Sequence, residues 1–237
     1  MSDPARPASS ARPRPTTIVR LGPLKLTGLP AVAFLLVLLA GIVALAVSQR
    51  RQFGPMWISG ALWIVFVVYW NAAARNTAPT ASSESARSRR FHVLATDLGI
   101  VLGFAHVQPL RGRWLLEGWG FVVAGLLLET AGLLLAVWAR RHLGRYWSAR
   151  VETKVDHRLV RSGPYRRIRH PIYTAMLAMV SGNALVSGHW HGLVGLALVA
   201  AALGRKLVME ERRMREAFGA EWEDWRHHSW ALVPGIV

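Results

Sequence analysis

The sequence predicts an all-α, polytopic membrane helical bundle. It has about five to six transmembrane helices, including a C-terminal helical hairpin, with a cytoplasmic polar loop and a C-terminal amphipathic helix. Three observations carry that prediction. The chain is 52% hydrophobic over 237 residues, more apolar than a soluble domain with an ordinary surface. Its apolar residues fall in runs long enough, at about 1.5 Å per helical residue, to cross a hydrocarbon core about 30 Å thick. Its Lys and Arg residues lie between those runs, sorted by side.

Residues 1–25 are rich in Pro, Ser, Ala and Arg and read as a disordered basic tail. The apolar run starts too late for a signal peptide. Residues 26–138 hold four expected spans. Leu29 to Val47 is almost free of polar groups. Pro55 to Ala74 follows, with Trp57 and Trp70 marking its two ends at headgroup depth. Arg75 to Arg90 is a polar linker. Phe91 to Leu110 is a weaker span whose His92, Asp97 and His106 read as facing other helices or lying near the ends. Trp114 to Trp138 is the fourth. Glu129 lies deep within it and should turn to the bundle interior, where Gly125, Ala131 and Gly132 permit close helix approach.

Residues 139–237 form the second region. Ile172 to Ser187 and Leu193 to Leu207 read as a helical hairpin around a Gly188-His-Trp-His-Gly192 turn. His189 and His191, without further ligands, read as interfacial polar residues, so no metal is expected. From Glu210 to Trp230, Met214, Phe218, Trp222 and Trp225 recur at helical spacing, one apolar stripe on an otherwise charged helix. Val233-Pro-Gly stops it.

Cysteine is absent, which excludes disulfides and thiolate metal ligands, and the formal charge is +16. With six crossings, 25 of the 29 Lys and Arg residues fall on one side and four (Arg50, Arg51, Arg111 and Arg113) on the other. The positive-inside rule then places both termini in the cytoplasm. The excess charge points to membrane lipids with anionic headgroups, and not to nucleic acid. An Arg-rich, cysteine-free composition suggests a bacterial inner membrane; nothing in the sequence indicates an oligomeric state.

The densest polar stretch runs from Arg140 to Tyr173 and holds ten of the Lys and Arg residues. Charges are expensive in lipid, so this island belongs on the aqueous face. Ser162-Gly-Pro-Tyr165, Arg169-His-Pro-Ile-Tyr173, and Glu210-Glu211 followed by Phe218-Gly219 resemble the C-terminal signature of the isoprenylcysteine carboxyl methyltransferase family. Leu143-Gly-Arg-Tyr-Trp-Ser148 resembles the segment leading into that family's cofactor loop. The resemblance covers roughly residues 138 to 237. It implies an integral membrane enzyme using S-adenosyl-L-methionine, with a lipophilic small-molecule or prenylated acceptor. Carried over by position, it implies cofactor contacts at His157, Arg158, Leu159, Val160, Tyr165, His170, Pro171, Ile172, Tyr173 and Glu210. Lys206 stands where prenylcysteine enzymes have a substrate-contacting Arg, and Arg205 is its possible substitute. A Lys keeps the charge but loses the planar fork that holds a carboxylate bidentately.

The residues support that reading on their own chemistry. Gly163-Pro164 makes a tight turn. Pro171 biases His170 toward extended backbone, which ends the loop before the next helix. Tyr165 and Tyr173 offer aromatic faces to adenine or to a cation. Glu210 is an acceptor for an amine or ribose. Methyl transfer to a carboxylate or thiolate is an in-line displacement, governed by positioning and favoured by a dry pocket, so no general base is assigned. Two other readings remain open on sequence alone: a membrane sterol-reductase-like enzyme binding NADPH in the same region, and a non-catalytic membrane protein. In these, the island arginines anchor to headgroups and the Glu pair caps a helix start.

Overall fold

Proline and serine set where the helices begin. A computed structural model describes residues 54–73, 80–83, 85–105, 107–144, 152–154 and 159–235. Pro55 opens α1 (Pro55–Ala73) and Pro171 opens α4 (Pro171–Ser187), each at the first helical position, where its missing N–H costs nothing. Ser85 caps α2 (Ala86–Phe104), its Oγ accepting from the Ser88 N–H at 3.3 Å. α3 (Trp119–Leu143) ends on Arg140, Arg141 and His142, cations that suit the negative end of the helix dipole. α5 (Trp190–Phe218) is followed by the short α6 (Ala220–His227).

Three of these helices are long and apolar enough to cross a membrane: α1, α3 and α5. α4 is apolar but shorter. Large apolar side chains stay exposed along them, among them Val65, Leu127, Leu134 and Val208. In an integral membrane bundle such residues face lipid. The tail 1–25 and the span expected from Leu29 to Val47 lie outside the described residues, as does His106.

The helices meet through glycine. α3 and α4 cross so closely at Gly125 and Gly182 that a Cβ on Gly125 would stand 2.6 Å from the Gly182 carbonyl oxygen. Gly132 does the same against the Ala175 carbonyl at 2.7 Å, and Gly99 of α2 against Gly195 of α5 at 2.7 Å. Small residues bring backbones together where lipid supplies no hydrophobic drive between helices. Inside this packing, Glu129 is fully buried and takes a hydrogen bond from Ser59 Oγ at 2.7 Å. Asn183 Nδ2 in turn donates to Ser59 Oγ at 3.0 Å. The expected inward turn of Glu129 is thus realised by a polar knot joining α1, α3 and α4. His92 is buried as well.

Several expected boundaries move. The span read as Phe91 to Leu110 ends at Phe104, and a 3-10 turn follows at Gln108–Leu110. The span read from Trp114 begins at Trp119 and continues to Leu143. The hairpin turn is shorter than expected: Gly188 and His189 alone make it, and Trp190 and His191 are already in α5. Buried His191 sets its Nδ1 2.9 Å from the Leu102 carbonyl oxygen, which draws that end of α5 inward.

The largest correction is at the C-terminus. No single helix spans Glu210 to Trp230. α5 runs unbroken through the Glu pair to Phe218, so Glu210 and Glu211 are mid-helix and cap no helix start. Gly219, at φ 50°, then turns the chain. That left-handed region is open to glycine at little cost, and it lets α6 fold back on α5. The apolar stripe continues across the break, with Trp222 and Trp225 buried.

Loops meet at both ends of the bundle. At one end Thr80–Ser83 (β1) pairs antiparallel with Glu152–Lys154 (β2), joining the polar linker to the island. At the other, the Trp114 N–H donates to the Gly188 carbonyl at 3.1 Å and the Trp190 N–H to the Gly112 carbonyl at 3.1 Å. That is the loop sorting which the charge pattern requires.

Candidate active site

The island folds back through a turn that the sequence dictates. Gly163 has φ 57°, and a Cβ there would collide with the His142 ring at the end of α3. Only glycine fits. Pro164 and Tyr165 follow in a 3-10 turn (Gly163–Arg166) and are both buried. Arg166 and Arg167 remain exposed. Leu159 and Val160, just before the turn, pack half-buried against the core. Burial, then the negative charge of Glu210, pushes the Tyr165 phenol well above its usual range, opposed by Arg140.

Arg140 holds this end of the bundle. Its guanidinium donates to the Gly144 carbonyl at 2.6 Å and to the Ala73 carbonyl at 2.5 Å. It therefore satisfies the exposed C-terminal ends of α3 and α1 together.

At the start of α4, His170 is 8% exposed and stands between two carboxylates of α5. Its Nδ1 is 3.6 Å from Glu210 Oε2 and its Nε2 is 3.5 Å from Glu211 Oε1. These are ion-pair distances, long for well-formed hydrogen bonds, and Nε2 has no hydrogen-bond partner. Burial alone would lower the affinity of this imidazole for its proton. The two carboxylates outweigh it, and the His170 pKa is raised.

One turn along α4, the Tyr173 ring stacks on His170 with centroids 5.2 Å apart and planes within 8°. Lys206 Nζ sits 5.5 Å from the Tyr173 ring centre and 3.8 Å from Glu210 Oε1. Lys206 and Glu210 are four apart on one helix, so they share a face. Arg205 points elsewhere: it donates to Ser88 Oγ at 3.0 Å and lies 5.4 Å over the Phe91 ring.

The structure thus gathers His170, Tyr173, Lys206 and Glu210 in one place, with buried Pro171 and Ile172 beside them and Tyr165 in electrostatic reach of Glu210. His157 and Arg158 lie outside the described residues. Sequence reasoning gave no place in the site to Glu211, Arg169 or the segment 229–232. Glu211 was visible as half of the acidic pair. The segment 229–232 carried no signal, because its contacts are made by backbone atoms far apart in the chain.

Such a cluster suits a ligand carrying both signs of charge and an aromatic group. Glu210 accepts from an amine, His170 and Lys206 meet a carboxylate, and the Tyr173 ring, stacked on His170 and faced by Lys206, adds an aromatic surface to the cluster. His170 Nε2, 3.5 Å from Glu211 and without a formed hydrogen bond, is the kind of buried polar atom that a ligand would satisfy.

Comparison with known proteins agrees with this chemistry. Residues 124–216 match the model of the isoprenylcysteine carboxyl methyltransferase family. A probable protein-S-isoprenylcysteine O-methyltransferase of Oryza sativa subsp. indica is 25% identical over 189 residues, covering 76% of this chain and 96% of the relative. A protein of the same description from Oryza sativa subsp. japonica matches equally. The matched region takes in α4, most of α5 and the whole cluster. No feature of the chain and neither relative favours a nicotinamide-dependent reductase.

Proposed function

Starting from a membrane methyltransferase similar to the isoprenylcysteine carboxyl methyltransferases, we propose that this chain takes its methyl group from S-adenosyl-L-methionine and places it on a prenylated or similarly lipophilic carboxylate or thiolate. The observation that carries the reading is the convergence of His170, Tyr173, Lys206 and Glu210 at the polar end of lipid-exposed helices.

When bound, the cofactor supplies an electrophilic methyl on a sulfonium sulfur. The chain's residues then have separable tasks. Glu210 accepts from the amine or ribose. His170, its affinity for a proton raised by the paired carboxylates, meets the cofactor carboxylate. Tyr165, Tyr173, Leu159 and Val160 supply the walls. Lys206 brings the acceptor anion beside the Tyr173 ring; Arg205, bonded to Ser88, leaves that task to Lys206. No proton need be removed from an acceptor that is already anionic. Exclusion of water strengthens each of these contacts and favours a transition state in which charge is neutralised.

The setting we propose is a bacterial inner membrane, with the island and both termini in the cytoplasm. The polar cofactor then enters from water and the acceptor from the bilayer, between helices. Calorimetric titration of the detergent-purified chain should show uptake of S-adenosyl-L-methionine and none of NADPH. Mass spectrometry of a panel of prenylcysteines, small thiols and phospholipid amines should then show methylated prenylcysteine or thiol. Uptake of NADPH alone would reverse the assignment.

A further inference from the structure

Arg169 precedes the histidine of the cluster and differs from the other arginines of its loop. Its side chain is 9% exposed, whereas Arg166 and Arg167 face outward. Nε donates to Glu211 Oε1 at 2.8 Å. Nη1 donates to the Arg226 carbonyl at 3.2 Å, to Ser229 Oγ at 3.3 Å and to the Ser229 carbonyl. One of those acceptors, the Arg226 carbonyl, lies in the last turn of α6, where helix carbonyls lack internal donors and the dipole is negative, and Ser229 follows just past the helix cap. The backbone is tied as well. The Arg169 N–H donates to the Trp230 carbonyl at 2.8 Å, the His170 N–H to the Ala231 carbonyl at 3.0 Å, and the Trp230 N–H to the Arg167 carbonyl at 2.9 Å. Thr174 Oγ1 donates to the Leu232 carbonyl at 2.7 Å. Residues 229–232 therefore run as a strap beside residues 167–170.

We propose that Arg169 and Glu211, braced by the 229–232 strap, are positioning residues that fix where the His170 ring stands between Glu210 and Glu211 and so set the charge it presents to the site. The inference rests on the methyltransferase reading for its purpose, though not for its geometry. One oxygen, Glu211 Oε1, faces both Arg169 at 2.8 Å and His170 at 3.5 Å. The arginine wins the shorter contact and holds the carboxylate back from the imidazole. A lysine would not reproduce this, because only the guanidinium fork reaches the carboxylate and the Arg226 and Ser229 carbonyls together.

The two residues act on His170 with opposite signs. Neutralising Glu211 removes an anion from the ring and disfavours the imidazolium. Removing the Arg169 charge takes away a cation and frees Glu211 to close on the ring, which favours the imidazolium. The other groups facing His170 stay constant: Glu210 with Lys206 behind it from α5, Tyr173 stacked on it from α4, Tyr165 acting through Glu210, and the Ala231 carbonyl from the strap. His170 has a folded pKa above its ordinary 6.5. Its stabilisation is therefore complete below about pH 6.5 and lost as pH rises through the folded value.

The test is the thermal unfolding midpoint of the full chain in detergent, followed from about pH 6 to about pH 9 for wild type, E211Q and R169Q. The same profile for H170Q is subtracted from each. E211Q should lose the His170 contribution at lower pH than wild type, and R169Q at higher pH. R169K, which keeps the charge but not the fork, should shift in the same direction as R169Q and replaces it if that variant does not fold. Affinity for S-adenosyl-L-methionine at about pH 8 should fall roughly tenfold in E211Q. Shifts of the same sign, or none, would overturn the proposal. If wild type takes up the cofactor and the variants do not shift, only this inference fails. If wild type takes up no cofactor, the methyltransferase reading fails, and the unfolding profiles still decide the brace.

Discussion

Lys206 carries the sharpest question about the acceptor. Its ammonium lies 3.8 Å from Glu210 and 5.5 Å from the Tyr173 ring centre, and its side chain is 11% exposed. A point charge so placed can balance any anion brought beside it, but it cannot grip a carboxylate with two parallel hydrogen bonds. Lys206→Met should raise KM for an anionic acceptor about tenfold, the loss of roughly 1.4 kcal/mol, with cofactor affinity changed far less. Lys206→Arg separates the acceptor classes. It should lower KM for a prenylcysteine carboxylate and leave a thiol acceptor unimproved. Steady-state kinetics with both acceptors measure this, and equal responses would remove Lys206 from acceptor recognition. His170 and Glu210 should behave differently. Replacing either with Ala removes one ionic partner and strands the other in a buried site, so cofactor affinity should fall by about tenfold or more. A titration that finds Glu210→Ala binding like wild type would take Glu210 out of the cofactor site.

At the scale of the elements, close approach and capping decide what can change. Gly125 and Gly204 both sit inside helices, yet a Cβ at Gly125 would press the Gly182 carbonyl at 2.6 Å, whereas Gly204 has open space around it. Gly125→Ala should destabilise the α3–α4 crossing by about 1–3 kcal/mol through overpacking. Gly204→Ala should stabilise α5 by about 0.5–1 kcal/mol, the ordinary helix preference for alanine. Unfolding in detergent gives both signs from one assay. The same contrast explains what the sequence could tell. Pro55 and Pro171 mark helix starts because their chemistry is local, whereas the start at Ser85 lies inside a stretch whose polar composition reads as linker. The Gly219 break was hidden because Phe218 and Trp222 continue one apolar stripe on either side of it. The β1–β2 pair and the 229–232 strap were hidden for a related reason: their bonds join backbone groups more than fifty residues apart, and side-chain pattern does not encode them. In the site, His170, Tyr173, Lys206 and Glu210 could be named because the motifs keep them in fixed order. Arg169 has in the sequence only the alternative of a headgroup anchor, shared with its neighbours, since only the folded chain shows a helix end beside its guanidinium.

For the molecule as a whole, the governing fact is a two-ended distribution of charge on a bundle whose sides are apolar. Glu129 obeys it by turning inward to Ser59, because hydrogen bonds of about 1 kcal/mol each offset only part of the cost of a carboxyl group in lipid. The loops obey it too. The linker and island pair through β1 and β2 at one end, and Gly112, Trp114, Gly188 and Trp190 meet at the other. A six-crossing threading of the sequence puts 25 Lys and Arg residues on one side and four on the other. An imbalance of that size, at about 1 kcal/mol per cation near an anionic surface, is the basis of the proposed orientation with the island in the cytoplasm. The chain has no cysteine, so single cysteines report position without any background to remove. Cysteines placed at Ser85, Arg166 or His228 should react with a membrane-impermeant maleimide only in inside-out vesicles, and cysteines at Arg111 or Glu117 only in right-side-out ones. All five sites are exposed. Labelling of Arg166→Cys and Glu117→Cys from the same side would break the six-crossing threading. It would also deprive the proposed site of the cytoplasmic water through which a polar cofactor must arrive.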